Sequence, residues 1–560
     1  HWTQAGCAVD QFEQHIRAIA GWPLGDGTRH ADVVMENLIG ADVARAATLA
    51  ATHDGTAEDP AAGRDADGTG AAAVAARRDE LAAGRGGLSR AAGAILDVLA
   101  VGLRDGLAAG LGAERDGFLG LLRSPEARAA VHLFLAEAEV RRRSRGDGAP
   151  VERLCVVGAG QMGAGIAATA VSRGLSAVVR DADEAALGRA ADVRDRVLAR
   201  AARGDGPDAR AERWSATPEW AGFDAADAVV EAVFELPEVK HEVLADVSAR
   251  VPAGAIVATN TSAIPIASLA PSVVGPERFL GTHFFSPVDR MPLVELIPHA
   301  GTDADVVVRA AAMGRALGKV PVVVGDAPGF YTSRVYARWL IEGIRALLDG
   351  YGVAEVDAAA KAVGFPVGPL QAFDEATLLL VLQASIGQVA ERGMTDRLDV
   401  AAVRRALEAL LAGGVEGRRQ GRGFYLYGED GRRTGPNPDV AGLLGVATAT
   451  PGDAAVVGER LLLAFVTECL LCWDDGTLCH PIDGDVAAVL GIGFPRLLGG
   501  PFGWADEVGP AEVIRRCEAL DAAAFDVGAR TRAVAAAGAR FVDEPRRTAP
   551  FAPLAPVGAA

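Results

Sequence analysis

The stretch Leu154-Cys155-Val156-Val157-Gly158-Ala159-Gly160-Gln161-Met162-Gly163 decides the fold. Its first four residues form a short apolar run that stops at a glycine, which reads as a strand buried on both faces. The next six match G-x-G-x-x-G, and Gly165-Ile166 then open a helix. The first glycine permits a tight turn. The second lets the backbone approach a pyrophosphate, and the third lets helix and strand pack closely, with the phosphates on the helix N-terminus. Such a fingerprint alone is weak in a chain with 68 glycines. Context strengthens it: an acidic residue is expected about 20 residues on, at the end of the second strand, and Asp181 follows Ala177-Val178-Val179-Arg180 there. A carboxylate at that place hydrogen-bonds a ribose diol and repels a 2′-phosphate. NAD is therefore expected rather than NADP, a preference that the adjacent Arg180 softens.

Working outward, further strand-like runs lie at 177–179, 228–230, 255–258, 279–284, 293–297 and 320–324, with helical stretches between several of them. That alternation predicts an α/β Rossmann domain with a doubly wound, mostly parallel sheet over 150–326. After Asp326 the pattern turns helical and repeats itself. Gly364-Phe365-Pro366 with Gly368-Pro369 and Asp374-Glu375 is echoed by Gly493-Phe494-Pro495 with Gly500-Pro501 and Asp506-Glu507. Two copies of one all-α domain are expected, at 327–428 and 455–545, joined by a turn-rich linker at 429–454 and followed by a tail at 546–560. Ahead of the Rossmann domain, 88–149 reads as a helical linker. Residues 1–87 read as a poorly defined segment whose Ala/Gly/Asp/Arg-rich part, 54–86, is a flexible linker.

The 560 residues carry a formal charge of −18, half of them are hydrophobic and 23% are charged. Disorder throughout is excluded, and the acidic balance argues against non-specific nucleic-acid binding. No uninterrupted apolar run reaches the roughly 18 residues of a membrane span. Six cysteines are too few for a disulfide framework at this length, which fits a reducing cytoplasm. No secretory signal pattern is visible, and the chain opens on His1 rather than Met. Only three cations, Lys240, Lys319 and Lys361, are lysines; this bias towards arginine resembles that of a GC-rich bacterial genome.

The chemistry-bearing stretches are Ala258-Thr259-Asn260-Thr261-Ser262, then Gly281-Thr282-His283-Phe284-Phe285-Ser286-Pro287-Val288, then Met291-Pro292-Leu293-Val294-Glu295. Supporting them are Val230-Glu231-Ala232-Val233-Phe234-Glu235, Asp326-Ala327-Pro328-Gly329-Phe330 and Gly421-Arg422-Gly423-Phe424-Tyr425. Over about 88–545 the chain resembles the L-3-hydroxyacyl-CoA dehydrogenases, and more closely the dehydrogenase portion of the multifunctional α-subunit of bacterial fatty-acid oxidation complexes. The resemblance implies NAD-dependent oxidation of L-3-hydroxyacyl-CoA to 3-oxoacyl-CoA, a β-oxidation step of fatty-acid metabolism.

Oxidising a secondary alcohol needs a base for the hydroxyl proton while hydride leaves. Histidine suits that task near neutral pH, and a carboxylate beside it fixes the tautomer and stabilises the imidazolium. The resemblance assigns base and partner to His283 and Glu295. It places Ser262 on the substrate oxygen, Ser333 near the substrate carbonyl, and Ser286 on the nicotinamide amide. Glu235 and Lys240 match cofactor contacts, with Val233 and Phe234 lining the site. Two positions depart from the family pattern. Ala263 replaces a second serine, and Ser333 replaces an asparagine that polarises the substrate, so reduced or shifted activity is expected.

The resembling α-subunits carry a crotonase domain before the dehydrogenase. Here 88–145 looks like only the tail and linker helix of such a domain, and no enoyl-CoA hydratase activity is expected. Two competing signals remain. Cys469-x-x-Cys472 near Cys479-His480 has half the spacing of a zinc site, but both cysteines fall on an apolar helix, so buried cysteines and no metal are expected. Arg196, Arg200 and Arg203 read by default as a solvated helix face; on the functional reading they are a phosphate dock for coenzyme A. The alternatives to the dehydrogenase are a weakened or scaffolding relative assembling with a thiolase-like subunit, or a dehydrogenase of another 3-hydroxy acid or a carrier-bound acyl chain. The implied partners are acyl-CoA and a dimeric or hetero-oligomeric assembly.

Overall fold

The computed structural model describes residues 68–83, 89–145, 148–201, 209–376, 378, 398–446 and 453–546. Most of the N-terminal segment, Arg203 and nearly all of the tail lie outside them. The chain divides into two compact units, 1–128 and 129–560.

The described part of the first unit is helical: α1 Thr69–Ala83, α2 Arg90–Asp105, α3 Leu107–Leu122 and the start of α4 Pro125–Arg143. Helix α1 corrects the expectation of a flexible linker there. Its sequence is dominated by alanine, with Arg, Glu and Leu, all strong helix formers. Composition alone signalled that this segment buries little, and it does not decide between coil and helix. Ser89 caps α2 by accepting from Ala92 N–H at 3.1 Å.

The second unit opens with the Rossmann sheet: β1 Arg153–Val157, β2 Ser176–Arg180, β3 Trp214–Thr217, β4 Ala228–Glu231, β5 Ile256–Asn260, β6 Phe279–Phe284, β7 Leu293–Pro298 and β8 Val320–Val323. Helices α5 Gln161–Ser172, α6 Glu184–Ala201, α7 Pro237–Ser248 and α8 Ala304–Ala316 accompany it. The spatial order is β3-β2-β1-β4-β5-β6-β7-β8. Every pair is parallel except β6–β7. The order reverses between β1 and β4, the crevice where such sheets bind nucleotides. Alternating side chains of β1 feed two cores: Cys155 and Val157 pack on one face, Leu154 and Val156 on the other. Strand β3 carries no apolar run to announce it. It is an edge strand of four residues, with Ser215 and Ala216 exposed.

The helical part comprises α9 Thr332–Leu348, α10 Val353–Ala362, α11 Pro369–Ala376 and α12 Val400–Ala412, then a hairpin of β9 Tyr425–Tyr427 and β10 Arg433–Pro436. It continues with α13 Ala454–Asp474, α14 Pro481–Gly491, α15 Pro501–Val508, α16 Pro510–Asp521 and α17 Ala529–Ala537. The sequence repeat is a structural one. Asp357 accepts from the N–H groups of Leu370 and Gln371 at the start of α11, and Asp485 from those of Phe502 and Gly503 at the start of α15. Asp374 likewise accepts from Phe424 and Tyr425, and Asp506 from Phe541 and Val542. Burial pushes the carboxyls of Asp374 and Asp506 up to about 6. The two Gly-Phe-Pro turns also pack on each other reciprocally. A Cβ on Gly364 (φ +103°) would lie 3.0 Å from Pro495, and one on Gly493 (φ +74°) would lie 3.2 Å from Pro366. Phe365 meets Phe494 edge to face at 6.1 Å.

Candidate active site

The carboxyl ends of the parallel strands converge on one edge of the sheet, and the expected site residues follow them. After β1, Gly158 (φ +103°) leaves no room for a side chain, since a Cβ would sit 2.5 Å from the Ala232 carbonyl oxygen. Gly163 is as restricted, at 1.9 Å from the Gly158 oxygen, which lets α5 pack against β1. Gly160 is different: a Cβ there meets nothing within 4 Å. The second glycine therefore borders open space at the N-terminus of α5, with no side-chain cap and no acid in the first turn. That is a cradle suited to a pyrophosphate, and the residues present fit NAD.

Asp181 closes the loop from β2. Its carboxylate accepts from Ala159 N–H at 2.8 Å and Asp183 N–H at 2.9 Å. Arg180 turns away, its guanidinium 3.9 Å over the Trp220 ring. The cation that softened the preference for NAD is thus stacked on an aromatic face.

At the ends of β4 and β5, Glu235 accepts from the Thr261 hydroxyl at 2.7 Å, the Ser262 N–H at 2.7 Å and the Ser262 hydroxyl at 3.2 Å. Val233 is half-buried and Phe234 projects with 81% of its surface exposed. Lys240 sits beneath this face rather than on it. It is wholly buried and donates to Glu231 at 2.9 Å and to the Asn260 carbonyl at 2.9 Å, with Glu235 at 3.6 Å. Its ammonium meets the cofactor face through Glu235. Burial pushes the Glu231 carboxyl up, against the pull of Lys240 and Thr259.

His283 and Glu295 are register partners across the antiparallel β6–β7 pair, with Nδ1 to Oε2 at 2.7 Å. Glu295 is fully buried and accepts two further bonds from Thr332, the N–H at 3.0 Å and the hydroxyl at 2.5 Å. Thr332 is the first residue of α9, so the start of the helical part clamps the carboxylate. With Glu295 accepting throughout, His283 Nδ1 is the donor, so in the neutral ring Nε2 is the acceptor.

His283 lines a cavity of about 380 Å³ with Phe285, Ser286 and Met291 on the sheet side. Thr332, Ser333, Tyr336 and Trp339 come from α9, Phe365 and Val367 from the first turn of the repeat, and Gly491, Ile492 and Gly493 from the second copy. Ser333 thus faces the same cavity as His283. Ser286 joins this wall to the glycine loop by accepting from the Gln161 side-chain amide at 2.8 Å.

The arginines of α6 divide. Arg196 is exposed, and Arg200 pairs with Asp289 at 2.8 Å. Cys469 and Cys472 are buried on α13, where the Tyr331 hydroxyl lies 3.1 Å from the Cys469 sulfur. Among the described residues, no group of three His, Cys, Asp or Glu side chains is placed to hold a metal ion. None of the described helices is long and apolar enough to cross a membrane.

Sequence reasoning missed Thr332, Glu231 and the contribution of the second copy to the cavity. Thr332 carried a signal, lying beside Ser333, a residue already singled out. The contact of Gly491–Gly493 with the cavity carried none, because it depends on how two repeats pack.

Two family descriptions match in tandem. 3-Hydroxyacyl-CoA dehydrogenase, NAD binding domain, covers 153–327, and 3-hydroxyacyl-CoA dehydrogenase, C-terminal domain, covers 329–427. Among solved structures, the 3-hydroxybutyryl-CoA dehydrogenase of Escherichia coli K12 is 25% identical with a TM-score of 0.58, over 70% of this chain and 99% of that one. The dehydrogenase part of multifunctional enzyme 1 from C. elegans shares the fold at 21% identity and a TM-score of 0.51, over 72% of this chain and 96% of that one. PaaH1 of Ralstonia eutropha, an (S)-3-hydroxybutyryl-CoA dehydrogenase, is 30% identical over 50% of this chain and all of that one, with a TM-score of 0.45. With both domains present in order on a Rossmann sheet, the chain belongs to the 3-hydroxyacyl-CoA dehydrogenase family and carries its NAD-binding domain.

Proposed function

We propose that this chain oxidises L-3-hydroxyacyl-CoA to 3-oxoacyl-CoA, with His283 as base and Glu295 as its partner. The observation that carries the reading is the 2.7 Å contact between His283 Nδ1 and Glu295 Oε2, on a histidine that opens into the cavity. Nδ1 donates to Glu295, so Nε2 takes the hydroxyl proton from the substrate. Glu295 offsets the positive charge that then develops on the ring. NAD, when bound, supplies the acceptor for the hydride leaving C3. Gly158, Gly160, Gln161, Met162, Gly163 and Asp181 would hold it, with Val233, Phe234, Glu235 and Ser286 towards the nicotinamide end. Ser262, oriented by Glu235, holds the substrate oxygen.

The cavity of about 380 Å³ lies at the small end of ligand pockets, and the E. coli neighbour is a 3-hydroxybutyryl-CoA dehydrogenase. Both favour a short acyl group. The test is turnover of a chain-length series of L-3-hydroxyacyl-CoA substrates with NAD, beside free and carrier-bound 3-hydroxy acids. Turnover of the free or carrier-bound acids alone contradicts the coenzyme A reading.

A further inference from the structure

We propose that Arg419, a residue of the helical domain, binds the pyrophosphate of NAD from across the cleft. Its guanidinium donates to the side-chain oxygen of Gln161 at 3.1 Å, 258 residues away along the chain. Gln161 is the first residue of α5, directly after Gly160. The inference rests on the glycine loop holding NAD and adds a residue from outside the Rossmann domain.

Three observations support it. The turn that carries Arg419 is held firmly. Gly417 and Gly421 take left-handed backbone conformations on either side of it (φ +138° and +77°), and Gly417 N–H bonds the Arg422 carbonyl at 3.0 Å. Its arginine neighbours are spoken for, Arg418 by Glu375 and Arg422 by Asp439, each at 2.7 Å. Arg419, exposed between them, meets an uncharged amide at Gln161, its one side-chain partner among the described residues. Finally, α5 presents its positive end here without a side-chain cap or an acid in its first turn. A cation held at the positive end of a helix is mismatched until an anion lies between them. The open space at Gly160 is where such an anion fits, and arginine matches phosphate oxygens as a fork. Gln161 also donates to Ser286 at 2.8 Å, so one chain of side chains links Arg419 to the wall of the cavity.

The test uses the full chain and titration calorimetry with ADP-ribose, which carries the pyrophosphate without the nicotinamide. Arg419→Gln should weaken ADP-ribose and NADH by about tenfold, the lower range for a hydrogen bond to a charged group. Arg419→Lys should lose less, and adenosine, which lacks the pyrophosphate, should bind all variants alike. The melting temperature should not move, and KM should rise for NAD but not for acyl-CoA. Equal ADP-ribose affinity in wild type and Arg419→Gln overturns the inference. So does a KM increase confined to acyl-CoA, which places the guanidinium on a coenzyme A phosphate. If wild type fails to bind ADP-ribose, the NAD reading of the loop falls with it.

Discussion

His283 and Glu295 face each other across the one antiparallel step in an otherwise parallel sheet, with Nδ1 and Oε2 2.7 Å apart. The strand reversal places a buried carboxylate behind the ring while leaving Nε2 to the cavity. Glu295→Gln keeps the size of the side chain but removes the charge and offers an NH₂ group where an acceptor is needed. The expected result is a fall in kcat of about 10²–10⁴-fold, the usual scale for an oriented acid–base group. ADP-ribose affinity should be unchanged, because the dinucleotide loop is not touched. A variant that keeps more than half of the wild-type kcat contradicts the pairing.

Thr332 gives Glu295 two of its hydrogen bonds. Thr332→Val removes only the hydroxyl. Stability should fall by about 1 kcal/mol, read as a shift in urea midpoint. kcat should fall by roughly tenfold, with KM for acyl-CoA little changed, since the carboxylate is displaced rather than removed. A change in KM alone would assign Thr332 to substrate binding instead.

Ser333 lines the cavity beside His283, where the family resemblance places an asparagine. A serine hydroxyl is shorter than an amide and offers one donor instead of two. Ser333→Asn should raise kcat/KM on short L-3-hydroxyacyl-CoA substrates by about tenfold, the worth of one good polar contact. No change at any chain length would show that the position does not limit turnover.

The two helical copies are joined by a buried cluster. Glu342 on α9 accepts from Arg338 and Arg345 of its own helix and from Arg460 on α13. Burial alone would push its carboxyl up, but the three guanidinium groups outweigh it and hold it down at about 2. A carboxyl whose pKa is lower folded than unfolded stabilises the fold above its unfolded value, near 4.5. That contribution is lost as pH falls through the folded value. Glu342→Gln, which leaves buried arginines uncompensated, should cost about 3–5 kcal/mol at pH 7. The gap to wild type should narrow between about pH 4.5 and pH 2, measured by urea unfolding along a pH series. A gap that is constant with pH would mean that packing, not charge, is what Gln disturbs.

Much of the fold is legible in sequence because the buried strands announce themselves. Leu154–Val157, Ala228–Val230 and Val320–Val323 are apolar runs that both faces of the sheet demand. Strand β3 is not, because an edge strand with exposed Ser215 and Ala216 need not be apolar. Helix α1 hides in an Ala-rich stretch where composition alone does not separate coil from helix. At the site, Asp181 follows the end of β2, His283 lies one residue from the end of β6 and Glu295 lies within β7, positions that local pattern can place. Lys240 shows the limit of matching by position: motif order puts it near the cofactor, whereas burial and Glu231 put it underneath. Arg419 and Ile492 reach the site only through tertiary packing between distant segments, and no local pattern reports that.

The most direct test of the central claim is NADH oxidation with acetoacetyl-CoA, followed by absorbance, in wild type and His283→Ala. The wild-type chain should turn over, and His283→Ala should fall by about 10²–10⁴-fold while still binding NADH. Equal rates in the two proteins, or no turnover by wild type across the acyl-CoA series, would contradict the account.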